Sequence, residues 1–147
     1  HKWLFIVDDD TYCFPNKIKK FIKFYDPKDL YMMGDFLNWP PKQNLKSDYL
    51  SWVGGGSGII FSRAAVKEIL SLSKNITIPL ANHDVWLHNL IISDSKFKIK
   101  RIHVPGFIQN NLKYILKKYK KNYKYLMSIH LRKKLSYIKE FNKCNKK

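Results

Sequence analysis

The sequence has 147 residues, enough for one domain, and its 45% hydrophobic content with 15% aromatic residues excludes a disordered or fibrous chain. No run approaches the about 20 apolar residues that a membrane span needs. The net charge of +17 alone would favour nucleic acid or an anionic membrane as a partner, but residues 113–147 hold 13 of the 28 basic residues and one of the 11 acidic ones, so the rest of the chain is only mildly basic.

Five apolar runs rich in aromatic and β-branched residues predict β-strands, and the helical spacing of other apolar residues predicts helices between them. The strands are expected at residues 2–7, 29–33, 50–53, 58–61 and 98–104. Pro15 suits the first turn of one helix, and Ser62 and Asn82 can cap two more. This alternation predicts an α/β layer architecture.

Three adjacent carboxylates, Asp8, Asp9 and Asp10, follow the first predicted strand. Like charges at the exit of a buried strand repel one another unless a cation or solvent offsets them. A divalent cation such as Mn²⁺ or Mg²⁺ is the natural partner, because it takes oxygen ligands and commonly shares them with substrate phosphates. The alternative is a turn or helix cap that is merely rich in aspartate.

A glycine-rich segment, Gly54-Gly55-Gly56-Ser57-Gly58, interrupts a strand-like stretch. Glycines in such a place usually mark a sharp bend or a position where a ligand approaches the backbone. The segment lacks the lysine of a P-loop and the spacing of a dinucleotide-binding fingerprint, which disfavours an ATPase. A tight turn without a ligand is the alternative.

Asp84 is the third candidate feature, because it follows His83 in the first turn of the third predicted helix. The helix dipole favours a carboxylate there, and such a group could serve as a general base or simply cap the helix. Two histidines are candidate metal ligands, His103 near the end of the last predicted strand and His130 in the basic C-terminal segment. A structural, hydrogen-bonded histidine is the alternative for each.

The C-terminal segment from Leu112 onward has apolar residues at helical spacing and a lysine-rich polar face, which predicts a long amphipathic helix. Its apolar positions are Leu112, Ile115, Tyr119, Tyr123, Leu126 and Ile129.

Cys13 and Cys144 could pair only if this segment folds back onto the first turn of the chain. The triplet Asn75-Ile76-Thr77 is a glycosylation sequon, compatible with passage through the secretory pathway.

Together these motifs resemble the Fringe-like family of β1,3-glycosyltransferases. The matching segments are residues 3–11, 25–34, 54–63 and 84–85, in the family's order, and the resemblance runs over residues 1 to about 107. Residues 3–11 and 54–63 look most like the protein O-fucose β1,3-glucosyltransferase branch, whereas residues 10–12 and 25–27 also suit the core-1 β1,3-galactosyltransferase branch. The donor sugar and the acceptor therefore stay open.

The resemblance implies a GT-A-like mixed sheet flanked by helices. Residues 1–112 would form the metal-binding and acceptor half, and residues 113–147 a basic helical tail. The family's nucleotide-binding strands would precede the first residue, so the 147 residues alone are expected to bind UDP poorly even with Mn²⁺. The expected location is the Golgi or endoplasmic reticulum lumen, as a single-pass type II membrane protein anchored through a segment outside this chain.

The same resemblance implies roles for individual residues. Asp84 matches the catalytic base, Asp8 and Asp10 match the metal-binding pair, and His103 or, as second candidate, His130 matches the metal-binding histidine. The implied cofactor is Mn²⁺, with Mg²⁺ as the alternative. The residues implied to contact donor and acceptor are Asp9, Trp52, Gly54, Gly55, Gly56 and Ser57.

The chain departs from the family's pattern at two places. His83 stands where an acidic residue is usual, so an auxiliary carboxylate is missing. If Phe107 is aligned with the family's Phe-His pair, Ile108 falls where the histidine belongs, which is why His130 is considered beside His103.

These roles imply an inverting, metal-assisted transfer of a hexose from a UDP-sugar to an O-linked glycan on a protein, with no nucleic-acid partner. One alternative is a basic module in which residues 113–147 bind nucleic acid or an anionic membrane. Another is a non-catalytic family member that acts as a partner or chaperone. The enzyme interpretation requires Asp10, the glycine-rich segment and Asp84 to converge on one cavity.

Overall fold

A computed structural model describes residues 1–38, 51–74, 84, 87, 90–91, 99–109, 125–132, 138 and 141. The strands in these residues are β1 (Trp3–Ile6), β2 (Thr11–Cys13), β3 (Tyr31–Gly34), β4 (Phe36–Asn38), β5 (Ser51–Val53), β6 (Ile59–Ser62), β7 (Lys100–His103), β8 (Phe107–Ile108) and β9 (Ser128–His130). The helices are α1 (Pro15–Ile22) and α2 (Arg63–Ser73), with a 3₁₀ turn at Gly55–Ser57.

The central feature is a four-stranded mixed sheet with the strand order β1-β6-β3-β7. Strand β6 pairs antiparallel with β1 and β3, and β3 pairs parallel with β7. Four of the five predicted strands form this sheet, and the fifth is β5, which pairs with β4 in a two-stranded ribbon. The predicted α/β architecture with a mixed sheet is therefore confirmed.

Helices cover both faces of this sheet. On one face Phe61 of β6 packs in a buried cluster with Ala65 of α2. On the other face Ile60 packs with Ile18 of α1. Because successive strand residues point to opposite faces, a strand buried on both sides has a continuous apolar sequence, as residues 59–61 do.

Both helices begin where the sequence predicts. Pro15 stands in the first turn of α1, and Ser62 caps α2 by accepting a hydrogen bond from the Ala65 N–H at 3.1 Å. The Ser62 hydroxyl also accepts from the Tyr31 N–H at 3.0 Å and donates to the Asp29 carbonyl at 2.6 Å. One buried hydroxyl thus ties the start of α2 to the start of β3.

The third predicted helix is described only in part. Asn82, its expected cap, lies outside the described residues, whereas Asp84, Leu87, Leu90 and Ile91 are helical. Ile91 is buried in the same cluster as the inner side of α2, with Leu87 packed against it. This stretch therefore lies on the α2 side of the sheet.

A second sheet joins the start of the chain to its C-terminal segment, with the strand order β2-β9-β8. Strand β9 pairs antiparallel with β2 and parallel with β8. Leu126, Ile129 and Leu131 pack with Phe14 in a buried cluster. The predicted helix from Leu112 is therefore wrong at its C-terminal end, where Ile129 lies in strand β9 and packs with Leu126 in a buried core.

Several other sequence features have a limited structural description. Among the described residues no helix is both long and apolar enough to cross a bilayer. Cys13 forms no disulfide with a described residue; burial raises the pKa of its thiol, and its Sγ lies 3.6 Å from Ser128 Oγ. Cys144 and the sequon at residues 75–77 lie outside the described residues.

Candidate functional site

The pairing of β2 with β9 brings an aspartate and a histidine together. Thr11, directly after the three aspartates, lies opposite His130 in the strand register. The Leu131 N–H donates to the Asp10 carbonyl at 3.0 Å, which extends the pairing past the strand end. As a result, His130 Nε2 lies 3.2 Å from Asp10 Oδ1.

Asp8, Asp10 and His130 form a carboxylate–histidine group in which one ligand atom of each residue lies within 4.8 Å of the others. Asp8 is exposed, and the side chains of Asp10 and His130 are each 16% exposed, so the group faces solvent on one side. Two carboxylate oxygens and an imidazole nitrogen suit a cation such as Mn²⁺, which can take its remaining ligands from water or substrate. These residues fit a divalent cation.

Gly56 leaves the space that the His130 ring occupies. A Cβ at this position would overlap His130 Nδ1 and lie 2.6 Å from Cε1. Thr11 Oγ1 donates to the Gly56 carbonyl at 2.6 Å, which holds the backbone against the ring. His130 Nδ1 is buried here, with no hydrogen-bond partner among the described residues. Close approach of backbone and imidazole therefore requires glycine.

We expect Gly56→Ala to weaken Mn²⁺ binding by about tenfold or more, because the added methyl group displaces the His130 ring from the aspartates. Gly55→Ala is the matched control, since its Cβ would lie 3.3 Å from the Asp84 Cβ, a contact that a small shift relieves. Calorimetric titration with Mn²⁺ compares the two variants with the wild type. Equal affinities for both variants would contradict the role given to Gly56.

The 3₁₀ turn also positions Asp84. The Gly55 N–H donates to Asp84 Oδ2 at 3.2 Å, so the turn and the helical stretch at Asp84 are linked directly. Gly58, which ends the turn, has a φ of 93°, in the region that favours glycine. The glycine-rich segment is thus a bend whose backbone forms hydrogen bonds with side chains from distant parts of the chain.

A cleft of about 310 Å³ lies where these elements meet. Its lining includes Asp8, Gly55, Gly56, Asp84, Leu87 and Gln109. The cleft therefore joins a member of the carboxylate–histidine group, the glycine turn and Asp84. Asp10, which the enzyme interpretation also names, is not among the described residues that line the cleft, but it belongs to the same carboxylate–histidine group as Asp8.

His103 lies outside the carboxylate–histidine group. At the end of β7 its Nδ1 accepts from the Phe36 N–H at 3.3 Å and lies 3.8 Å from Asp35 Oδ1. The structure therefore brings His130, and not His103, to the aspartates. The β7 register explains this placement, because it sets His103 opposite Gly34, next to Asp35.

The other residues that the resemblance singled out are placed around the cleft in different ways. Asp9 is exposed and is not among the described residues that line the cleft. The Gly54 N–H donates to the Asp35 carbonyl at 3.0 Å, and the backbone of Trp52 pairs with β4. His83 lies outside the described residues.

Two residues that sequence reasoning did not single out support the turn. Gln109 Oε1 accepts from the Ser57 N–H at 2.6 Å, and the Gln109 N–H donates to Asp35 Oδ2 at 2.9 Å. Burial raises the pKa of Asp35, while the Gln109 N–H and His103 act in the opposite direction. Neither residue belongs to a periodic pattern or a motif, so their roles become visible only when distant segments meet.

The chain is similar to a known protein family and to known β-1,3-glucosyltransferases. The model of the family described as Fringe-like matches residues 1–147. A β-1,3-glucosyltransferase of Mus musculus is 34% identical over 68 residues, which is 46% of this chain and 13% of that protein. A β-1,3-glucosyltransferase of Homo sapiens is 32% identical over 69 residues, 47% of this chain and 13% of that protein. The matched segment is thus a small part of either relative.

Proposed function

Since the chain belongs to the Fringe-like family, we propose that its cleft is the metal-binding and acceptor side of an inverting β1,3-glycosyltransferase. The proposed reaction moves a hexose from a UDP-sugar to a hydroxyl group of an O-linked glycan on a protein. The observation that carries this proposal is that Asp8, the glycine turn and Asp84 line one cleft.

The proposed cation site is the carboxylate–histidine group, with Mn²⁺ as the cofactor and Mg²⁺ as the alternative. Its ligand atoms are already within 4.8 Å of one another, and backbone pairing of β2 with β9 holds Asp10 beside His130. A cation bound there would supply Lewis-acid stabilisation of the diphosphate leaving group. Asp8 belongs to this group and also lines the cleft, so the group lies at the cleft wall.

Asp84 is the proposed general base. Its carboxylate takes the proton of the acceptor hydroxyl as that oxygen attacks the anomeric carbon. The bond from the anomeric carbon to the diphosphate oxygen breaks, and its electron pair leaves with UDP. Attack from the face opposite the leaving group inverts the anomeric centre, as in inverting glycosidases. The proposed step therefore requires no covalent nucleophile from the protein.

The hydrogen bond from the Gly55 N–H supports this role for Asp84. It holds Oδ2 at 3.2 Å from the backbone of the turn, and the turn forms part of the cleft lining. An oriented base lowers the entropic cost of reaching the attack geometry. His83 cannot supply the acidic neighbour that is usual in the family, so Asp84 is proposed to act without it.

The proposed setting follows from the proposed reaction. Protein O-glycans are extended inside the secretory pathway, so we place the full-length protein in the Golgi or endoplasmic reticulum lumen. The sequon at residues 75–77 is compatible with this location.

A screen of UDP-sugars with the full-length protein and Mn²⁺ tests the proposed function. We expect UDP release from one of them, faster with a β1,3-accepting O-glycan present, and its loss when EDTA removes the cation. If no UDP-sugar is cleaved while Mn²⁺ still binds, the non-catalytic alternative is favoured instead. Tight, salt-sensitive binding to RNA in the absence of transfer would favour the basic-module alternative.

A further inference from the structure

Gln109 is held at the cleft by three contacts. Its N–H donates to Asp35 Oδ2 at 2.9 Å, and its Oε1 accepts from the Ser57 N–H at 2.6 Å. Its side chain also lies against Gly54, where a Cβ would come within 2.6 Å of Gln109 Cγ. The backbone and the side chain of this residue are therefore both fixed.

These contacts determine which way the carboxamide points. Because the Ser57 N–H is a donor, the atom that faces it must be Oε1, and a flipped amide would set two donors against each other. Gln109 Nε2 therefore lies on the other side, and it makes no hydrogen bond within the described residues. With respect to the described residues, two N–H donors thus stay available at a residue that lines the cleft.

The turn fixes Gln109 relative to the proposed base. Gly55 and Ser57 are two residues apart in the same 3₁₀ turn, and their N–H groups bond to Asp84 Oδ2 and to Gln109 Oε1 respectively. The side chains of Asp84 and Gln109 are therefore both hydrogen-bonded to one short piece of backbone. A saccharide whose attacking hydroxyl lies at Asp84 would have its neighbouring hydroxyls close to the same turn.

We propose that Gln109 is a specificity-determining residue, which donates a hydrogen bond from Nε2 to an acceptor-sugar hydroxyl next to the one that attacks. This assignment rests on the proposed function of the cleft. The ligand class is a saccharide with neighbouring free hydroxyls. An uncharged donor suits this task, because the lining already holds the carboxylates of Asp8 and Asp84, which can only accept when ionised.

Gln109→Glu separates this role from a structural one. The carboxylate of the variant keeps an oxygen for the Ser57 N–H but loses the N–H donors. Gln109→Met, in contrast, loses both the acceptor and the donors. If Gln109 only supports the turn, the glutamate variant stays active and the methionine variant fails. If Gln109 binds the acceptor, both variants lose transfer.

The experiment uses the full-length protein and measures two rates, transfer to the acceptor and UDP release to water without acceptor. We expect Gln109→Glu to lower kcat/KM for the acceptor by about tenfold or more. UDP release without acceptor should change by less than about threefold, which controls for effects of the new charge on cation and donor binding. The urea unfolding midpoint checks that the variants stay folded.

Acceptors that each lack one hydroxyl complete the test. The wild type should lose about the same factor on one deoxy acceptor, and Gln109→Glu should not distinguish that acceptor from the intact one. Full transfer activity in Gln109→Glu, or a parallel fall in both rates, would overturn the assignment. A wild-type protein that releases no UDP would instead refute the proposed function, and the assignment with it.

Discussion

Replacing Asp84 with asparagine should lower the rate of glycosyl transfer by about 10²- to 10⁴-fold, the usual contribution of a positioned general base. The variant keeps a side-chain oxygen that can accept from the Gly55 N–H, now at 3.2 Å from Asp84 Oδ2. It cannot take up a proton from the acceptor hydroxyl. The loss should therefore appear in kcat, with little change in Mn²⁺ affinity or in the urea unfolding midpoint.

Asp29→Asn is the matched control for this substitution. Asp29 is exposed, and its carboxylate accepts from the Tyr31 hydroxyl at 3.0 Å, beside the Ser62 end of β6 and away from the glycine turn. This variant should transfer sugar at the wild-type rate. If Asp84→Asn keeps more than about a tenth of the activity, Asp84 is not the base. A parallel drop in the unfolding midpoint would point to a structural role.

His130→Ala should raise the Mn²⁺ concentration needed for half-maximal transfer by more than about 100-fold. Loss of an outer-shell partner typically weakens metal sites by about 10- to 100-fold, and loss of a direct ligand should cost at least as much. Removing the ring leaves only Asp8 and Asp10 in the carboxylate–histidine group. Activity measured over a series of MnCl₂ concentrations gives the shift.

His103→Ala is the matched control for His130→Ala. His103 is 53% exposed and contacts Asp35, outside the carboxylate–histidine group. Its removal should leave the Mn²⁺ dependence unchanged within about twofold. A Mn²⁺ requirement that shifts in His103→Ala and stays constant in His130→Ala would reverse the assignment of the histidine.

The central sheet and its two helices could be predicted because their signals are local. The run at residues 59–61 is apolar throughout, since α1 and α2 cover opposite faces of β6. Ser62 and Pro15 marked helix starts through the chemistry of their own side chains. No long-range information was needed for these elements.

Strand β9 could not be predicted, because its stability comes from distant partners. Leu126 and Ile129 are three residues apart, a spacing that favours a helix over a strand. They are buried against Phe14, more than 100 positions earlier in the chain. Tertiary packing therefore determines the structure of this segment. The lysines around these residues make the apolar pattern of a buried segment hard to recognise in the sequence.

The candidate site, too, could be predicted only where its sequence signals are local. Asp8, Asp84 and the glycine bend stand out by residue type, and they line one cleft. The sequence could not decide which histidine joins the aspartates, because His103 and His130 both follow apolar residues. Only the pairing of β2 with β9 shows that it is His130. Gln109 gave no sequence signal, since its contacts with Asp35 and Ser57 span 74 and 52 positions.

We propose that the carboxylate–histidine group binds a cation at the cleft that Asp84 lines. Anomalous diffraction from crystals of the protein soaked with MnCl₂ and UDP would locate this cation. We expect a manganese peak at coordination distance from Asp8, Asp10 and His130, on the same cleft as Asp84. A peak between His103 and Asp35, or no peak at the group in millimolar Mn²⁺, would contradict it.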